Sequence, residues 1–343
     1  MLQGKKMKTQ IAALLILWAM TGIATGDDDT SARLQAMFSE WEQIFKTHGG
    51  FKANEYFVEN CPKQLVFWSQ AADENEPIAQ YFIGECYLNG AGVEQDKAQA
   101  LKWQLKAAEQ NFPVAQNTVA ALYAYDEGIG KNLAQALVWY RKAAEQGHYL
   151  GQNDLGVMYA TGQGVPKNEA EAFKWYQKAA EQNYATAQNN LGVFYFNGTG
   201  VAKNQAQAVV LYRKAAEQGN ALAQYNLGYA YKNGAGIAKD EKQAVFWYRK
   251  AAEQDDVNAQ YMLGVAYLEG AGVAENQAQA IFWYRKAAEQ GYVDAQFTLG
   301  IAYESGVGVR KDKKQAIVWY RKAAEQGDEK AQAALDRLSK GRK

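Results

Sequence analysis

The pair Ala-Ala begins at 71, 107, 143, 179, 215, 251, 287 and 323, each 36 residues after the last, and no insertion or deletion disturbs the register. A chain of 343 residues has room for two or three ordinary domains. A constant period instead means one supersecondary unit written seven times between Ala71 and Lys322. The six letters RKAAEQ recur at 141, 213, 249, 285 and 321. An enzyme needs its reactive residues once, so a phrase repeated this often points to architecture.

Every position of the unit is a column that can be read down the chain. Asp96, Asn132, Asn168, Asn204, Asp240, Asn276 and Asp312 form a column of N-cap residue types, and Gln or Glu stands three residues on, from Gln99 to Gln315. This is the capping-box pattern, in which two orphan backbone N–H groups are satisfied reciprocally. It starts the second helix of each unit. That helix ends at Asn111, Gly147, Asn183, Gly219, Asp255, Gly291 and Gly327, mostly residue types that accept the left-handed conformation closing a helix. The repeated phrase is therefore the C-terminal part of a packing helix: its alanines allow close approach and its polar letters hold the exit. The first helix of each unit, with Pro77 and Pro113 at its first position in two cases, carries a complete tyrosine column from Tyr87 to Tyr303 and stops at a Gly-x-Gly turn such as Gly198 and Gly200. One unit departs, with Asp126 in place of the first glycine.

Two helices joined by a short turn cannot bury both their faces alone, so neighbouring pairs must stack, and the fold class expected is all-α, an α-solenoid. The pattern A-x-x-x-L-G-x-x-Y-x-x-G-x-G-V followed by A-x-x-W-Y-x-K-A-A-E-Q-G, as in Ala259 to Val273 and Ala280 to Gly291, resembles the Sel-1-like repeat family, a relative of the tetratricopeptide solenoids. The resemblance covers about residues 79–330, seven times over. It implies a right-handed α-α superhelix of seven 36-residue helix-turn-helix repeats. It further implies a non-catalytic adaptor that holds protein or peptide partners, in the manner of secreted or periplasmic bacterial members.

Outside the repeats, Leu34, Met37, Phe38, Trp41, Ile44 and Phe45 share one face of an amphipathic helix stopped by Gly49 and Gly50, and a second helix is expected near 64–72. Residues 27–78 thus read as an N-terminal capping segment. Residues 331–343 read as a C-terminal capping helix, with Ala331, Ala334, Leu335 and Leu338 on one side, and a basic tail. At 1–26, Lys5, Lys6 and Lys8 precede an apolar run from Ile11 to Met20 and an Ala24-x-Gly26 site, the layout of a cleaved secretory signal. A retained membrane anchor is the alternative, though the strongly apolar part is short for a bilayer. The location expected is periplasmic or secreted. Cys61 and Cys86 are the only cysteines. In an oxidising compartment they can pair, and otherwise Cys86 packs as a free thiol in a helix.

Lys plus Arg and Asp plus Glu both number 37, a balance that argues against a nucleic-acid binder, whose affinity rests on a basic face. A monomer with a protein or peptide partner is expected, touching a membrane only through an uncleaved signal or a membrane-bound partner. Positions needed for stacking must repeat, whereas positions that read a partner are free to differ. The varying side of the first helices is thus the candidate partner-binding, concave face: Asn153, Asn189, Asn190, Tyr225, Asn226, Tyr229, Tyr261 and Phe297, with Val193, Phe196 and Ile301 alongside. Asparagines can donate to and accept from a peptide backbone at once, and tyrosines give area at small entropic loss. Packing on the preceding unit is the other role open to these positions. The Trp column, Trp103 to Trp319 with Leu211 once, reads as core.

Catalytic or metal motifs are not evident. His48 and His148 have no second ligand at metal spacing, no nucleophile elbow or phosphate loop occurs, and no cofactor is expected. Asn197-Gly198-Thr199 fits a glycosylation sequon but occupies the repeat turn. Two alternatives to an adaptor are a hydrolase or binding protein for β-lactams or cell-wall peptides, known among cysteine-rich members of the resembling family, and a regulator restraining a membrane sensor. Those members carry a cysteine pair in most repeats. This chain has two cysteines altogether.

Overall fold

The structure, a computed structural model, describes residues 27–125 and 129–340, with the side chains of 27, 28, 46–53 and 340 left out. The expected signal at 1–26, the departure at Asp126, the His48 side chain and the basic residues at 341–343 lie outside it. Helices and turns account for every described residue, and no strand occurs among them. Contacts divide the chain into two compact units, one up to Ala179 and one from Ala180.

The N-terminal unit opens with the helical span Asp27–Asp73. As a straight rod this would hold Arg33 and Gln64 about 46 Å apart, yet Arg33 Nη2 donates to Gln64 Oε1 at 3.0 Å. The Tyr56 hydroxyl likewise donates to the Met37 carbonyl, and the Trp41 and Phe57 rings lie 5.9 Å apart. The span therefore doubles back on itself between Trp41 and Phe57, a stretch that holds Gly49 and Gly50. Leu34, Met37, Phe38 and Trp41 are buried in the joint core with Phe57 and Trp68. A disulfide ties Cys61 of the span to Cys86.

The pairs Pro77–Asn89 with Lys97–Glu109 and Pro113–Tyr125 with Leu133–Glu145 follow, then Tyr149–Thr161 and the helix Glu169–Glu181, within which the division falls. The C-terminal unit contains Ala185–Asn197 with Gln205–Glu217, Ala221–Asn233 with Glu241–Ala252, Val257–Glu269 with Gln277–Glu289, and Val293–Ser305 with Lys313–Glu325. It ends in Glu329–Lys340, whose Ala331, Ala334 and Leu338 are buried against the last pair.

Cap side chains act as expected: Asn132, Asn204, Asp240 and Asn276 each accept from the N–H three residues on. The reciprocal half of the capping box is replaced. The cap residue's own N–H donates instead to the carbonyl of the recurring first-helix tyrosine, as from Asn204 to Tyr195 at 2.8 Å and from Asp240 to Tyr231 at 3.0 Å. A main-chain acceptor already in place leaves the Gln or Glu side chain free of that duty. Asn111, Asn183 and Asp255 close their helices at φ near +60°, as the glycines do elsewhere in that column.

Four letters of the repeated phrase have tasks of their own. The arginine reaches the tyrosine hydroxyl of the next first helix, as from Arg213 to Tyr231 at 2.7 Å and from Arg285 to Tyr303 at 2.6 Å. The lysine ammonium lies over the tryptophan one turn earlier, Lys142 on Trp139 at 4.1 Å and Lys322 on Trp319 at 4.4 Å. The first alanine of the phrase is fully buried in every copy. The glutamine forms a buried ladder: Gln254 Nε2 donates to Gln224 Oε1 at 2.8 Å, and Gln224 Nε2 donates to the Ala216 carbonyl at 3.1 Å. The same two bonds recur from Gln290 through Gln260 to Ala252 and from Gln326 through Gln296 to Ala288. In the N-terminal unit they run from Gln146 through Gln116 to Ala108. Three successive helices are thereby pinned through one polar thread.

Gln224→Ala takes a buried donor from the Ala216 carbonyl and one of the two acceptors from the Gln254 amide, and is expected to lower stability by about 1–3 kcal/mol. Glu217→Ala, at the exposed letter of the phrase, should change it by less than about 0.5 kcal/mol. Denaturant unfolding of the two variants decides this, and equal effects would remove the ladder's role.

Candidate functional site

The recurring first-helix glycine exists for the tyrosine of the second helix. A Cβ on Gly228 would stand 2.8 Å from the Tyr248 ring, and one on Gly264 would stand 2.6 Å from Tyr284. Ring lies flat on backbone, so these tyrosines sink into the pair and floor the varying face of the first helices. Desolvation holds the Tyr212, Tyr248 and Tyr284 hydroxyls well above the ordinary tyrosine range.

Over that floor in the C-terminal unit stand the varying aromatics. Tyr225 meets Tyr248 at 5.8 Å between ring centroids, Tyr261 meets Tyr284 at 5.4 Å, and Phe297 meets Tyr320 at 5.7 Å. All three first-helix rings are half-buried. Tyr229 is 42% exposed and Ile301 45% exposed, so these two reach furthest into solvent. Phe196 stacks edge-on to Tyr229 at 6.2 Å. Asn190 is half-buried. Asn226 Nδ2 donates to Asn189 Oδ1 at 2.8 Å across successive pairs, and Asn189 is only 4% exposed. Asn189 thus shapes this face from beneath. Asn153, in the N-terminal unit, is equally buried and donates to Asp154 Oδ1 at 3.0 Å.

The N-terminal unit holds a feature that the reading of the central repeats passed over. A cleft of about 490 Å³ opens between the doubled-back span and the first helices of the first three pairs, walled by Trp41, Phe45, Tyr81 and Tyr125. Glu85 lies in it, 8% exposed, accepting from Gln104 Nε2 at 3.0 Å. Burial pushes the Glu85 carboxyl up to about 7. Behind Asn117, another wall residue, burial pushes Asp154 up to about 6 despite amide bonds from Asn153 and Asn117. Among the described residues neither carboxylate pairs with a cation. The signal was present in the sequence: Glu85 occupies a column otherwise filled by Ala121, Val157, Val193, Tyr229, Val265 and Ile301. Gln104 stands where every later pair has its buried tyrosine.

Both carboxyls titrate higher in the folded chain than in the unfolded chain, where they sit near the ordinary 4. Folded protein therefore holds protons that unfolded protein has released, and stability is expected to fall as pH rises from about 5 through about 7. Glu85→Gln should flatten that dependence. Hydrogen exchange of the first three pairs at pH 5.5 and pH 8 measures it, and an unchanged slope would contradict the assignment.

No group of three or more metal-ligating side chains occurs among the described residues, and no described helix is long and apolar enough to cross a membrane. His148 caps Tyr149–Thr161, its Nδ1 accepting from the Gly151 N–H at 3.4 Å.

The Sel1 repeat model matches residues 77–112, 113–148, 150–184, 185–220, 221–256, 257–292 and 293–328. The fold is similar to c5321, described as a protective antigen present in uropathogenic Escherichia coli strains displaying an SLR fold. The two share 35% identity at a TM-score of 0.68, over 95% of this chain and 67% of that one. It is also similar to a Sel1 repeat protein from Oxalobacter formigenes, with 30% identity and a TM-score of 0.65, over 94% and 93% of the two chains. Among curated proteins no sequence match is found.

Proposed function

The chain belongs to the Sel1 repeat family, and we propose that it is a non-catalytic interaction scaffold of the bacterial envelope that binds an extended segment of a partner protein on its varying first-helix face. One observation carries the reading. In the C-terminal unit the side chains that differ between repeats, Tyr225, Tyr229, Tyr261, Phe297 and Ile301, stand half-exposed or exposed over a floor of tyrosines that repeats. A rigid base under a variable aromatic surface suits recognition of a segment with several apolar anchors. Asn190 and Asn226 supply amides beside those rings for a peptide main chain.

Export across the inner membrane is part of the proposal. It is supported by the charged, apolar and small-residue layout of 1–26, by the Cys61–Cys86 bond, and by the similarity to a protein described as a protective antigen. N-terminal sequencing of protein recovered from the periplasm should begin just after Gly26, and recovery only from the cytoplasm would refute it.

A photo-crosslinking residue placed at Tyr229 or Ile301 should capture one protein in the cell. The same residue at Val210, an exposed position on a second helix, should not. The double variant Tyr229→Ala with Ile301→Ala is expected to weaken that complex about tenfold or more. Because both side chains reach into solvent, its melting temperature should fall by no more than a few degrees. Equal capture from Val210 would refute the face.

A further inference from the structure

We propose that the cleft of the N-terminal unit is an anchoring pocket for an arginine side chain of the partner segment, an inference that rests on the partner being a protein. The lining sets a single carboxyl and no cation among aromatic, amide and apolar side chains. Glu85 presents its carboxylate inside walls of Trp41, Phe45, Tyr81 and Tyr125. Asn117 turns its amide N–H toward Asp154, and its Oδ1 is left buried with no donor. Glu85 is therefore the carboxyl that faces the cleft, with the enclosed Asn117 oxygen and the Asp154 carboxyl behind it.

A planar guanidinium answers this lining: it brings five donors, forks onto a carboxylate, and stacks on aromatic faces. An ammonium is a more strongly hydrated point charge and would give up more water to enter an aromatic cleft. Burial raises Glu85 to about 7, so near neutral pH the carboxyl keeps much of its proton, and a docking cation supplies the counter-charge that drives it to the carboxylate. A peptide context fits the remaining group. Trp41, 6% exposed, has an enclosed Nε1–H that lacks an acceptor, and a small turn of the ring toward the cleft would present it to a main-chain carbonyl of the incoming segment.

The test uses the full mature chain and labelled, end-capped pentapeptides with a central arginine, citrulline or norleucine, titrated to millimolar concentration by fluorescence anisotropy. Citrulline keeps the shape of arginine and removes the charge. The arginine peptide is expected to bind about tenfold tighter than the other two. Glu85→Gln should abolish that preference, and Asn117→Ala should weaken it. Equal binding of arginine and citrulline peptides, unchanged selectivity in Glu85→Gln, or no arginine-peptide binding at millimolar concentration would overturn the pocket. Should Glu85→Gln fail to fold, the arginine-against-citrulline comparison on the wild-type chain decides alone. The Tyr229→Ala, Ile301→Ala variant should retain the preference. Loss of the pocket with crosslinking at Tyr229 intact would leave the scaffold reading standing, and the reverse result would leave the pocket standing.

Discussion

Tyr248→Ala is expected to lower the stability of the C-terminal unit by about 3–5 kcal/mol, whereas Tyr248→Phe should leave it unchanged or raise it. The ring is 1% exposed and lies flat against the backbone at Gly228, so truncation empties the centre of a pair. The hydroxyl is another matter. It is buried without a hydrogen-bond partner, so the folded chain bears its desolvation with no compensating bond. Tyr320 supplies the control, since its hydroxyl donates to Glu304 Oε2 at 2.8 Å and that carboxylate is also forked by Arg337. Tyr320→Phe should therefore cost about 1–2 kcal/mol. Denaturant unfolding of the three variants orders them. A penalty for Tyr248→Phe as large as that for Tyr320→Phe would mean that the Tyr248 hydroxyl has a partner after all.

Cys61→Ser with Cys86→Ser is expected to cost the N-terminal unit about 3.5 kcal/mol, the loop-closure value for a bond closing 25 residues of chain. The bond fixes the doubled-back span to the first helix of the first pair. Beside it the turn at Gly92, at φ +72°, comes so near the Pro62 backbone that a Cβ there would stand 3.0 Å from the proline nitrogen. Hydrogen exchange should show protection lost first from the span and from Pro77–Asn89. Reduction of the wild-type chain should reproduce the pattern. Unchanged exchange would mean that packing of Phe57, Trp68 and Phe82 alone holds this end.

Much of the fold was legible because the period turns one chain into seven parallel readings. Caps, closing residues, helix pairs and the buried alanine column follow from residue types at fixed positions within a unit; the tryptophan column is core at Trp139, Trp247 and Trp319 and half-buried at Trp103, Trp175 and Trp283. What escaped were relations between columns of different units. The glutamine ladder joins residues 30 apart, and the arginine–tyrosine bond joins residues 18 apart, offsets that reading each unit separately does not compare. The doubling-back of Asp27–Asp73 was half visible, since the Gly49–Gly50 stop and a helix near 64–72 were readable but the packing of one against the other was not. For the candidate surface, the varying columns were found, yet variation alone does not tell Tyr229, which reaches solvent, from Asn189, which is buried beneath its neighbour. The cleft is not legible in the central repeats, because Glu85 and Gln104 are departures that belong to the first repeat alone.

The polar thread of glutamines has a consequence for how such a protein changes over generations. Every rung is made with the adjoining module at the same offset, and none depends on what the varying surface carries. A recombination that adds or removes a whole module within the C-terminal unit would therefore leave each amide with an acceptor, and lineages are free to alter the length of their recognition surface without redesigning its interior.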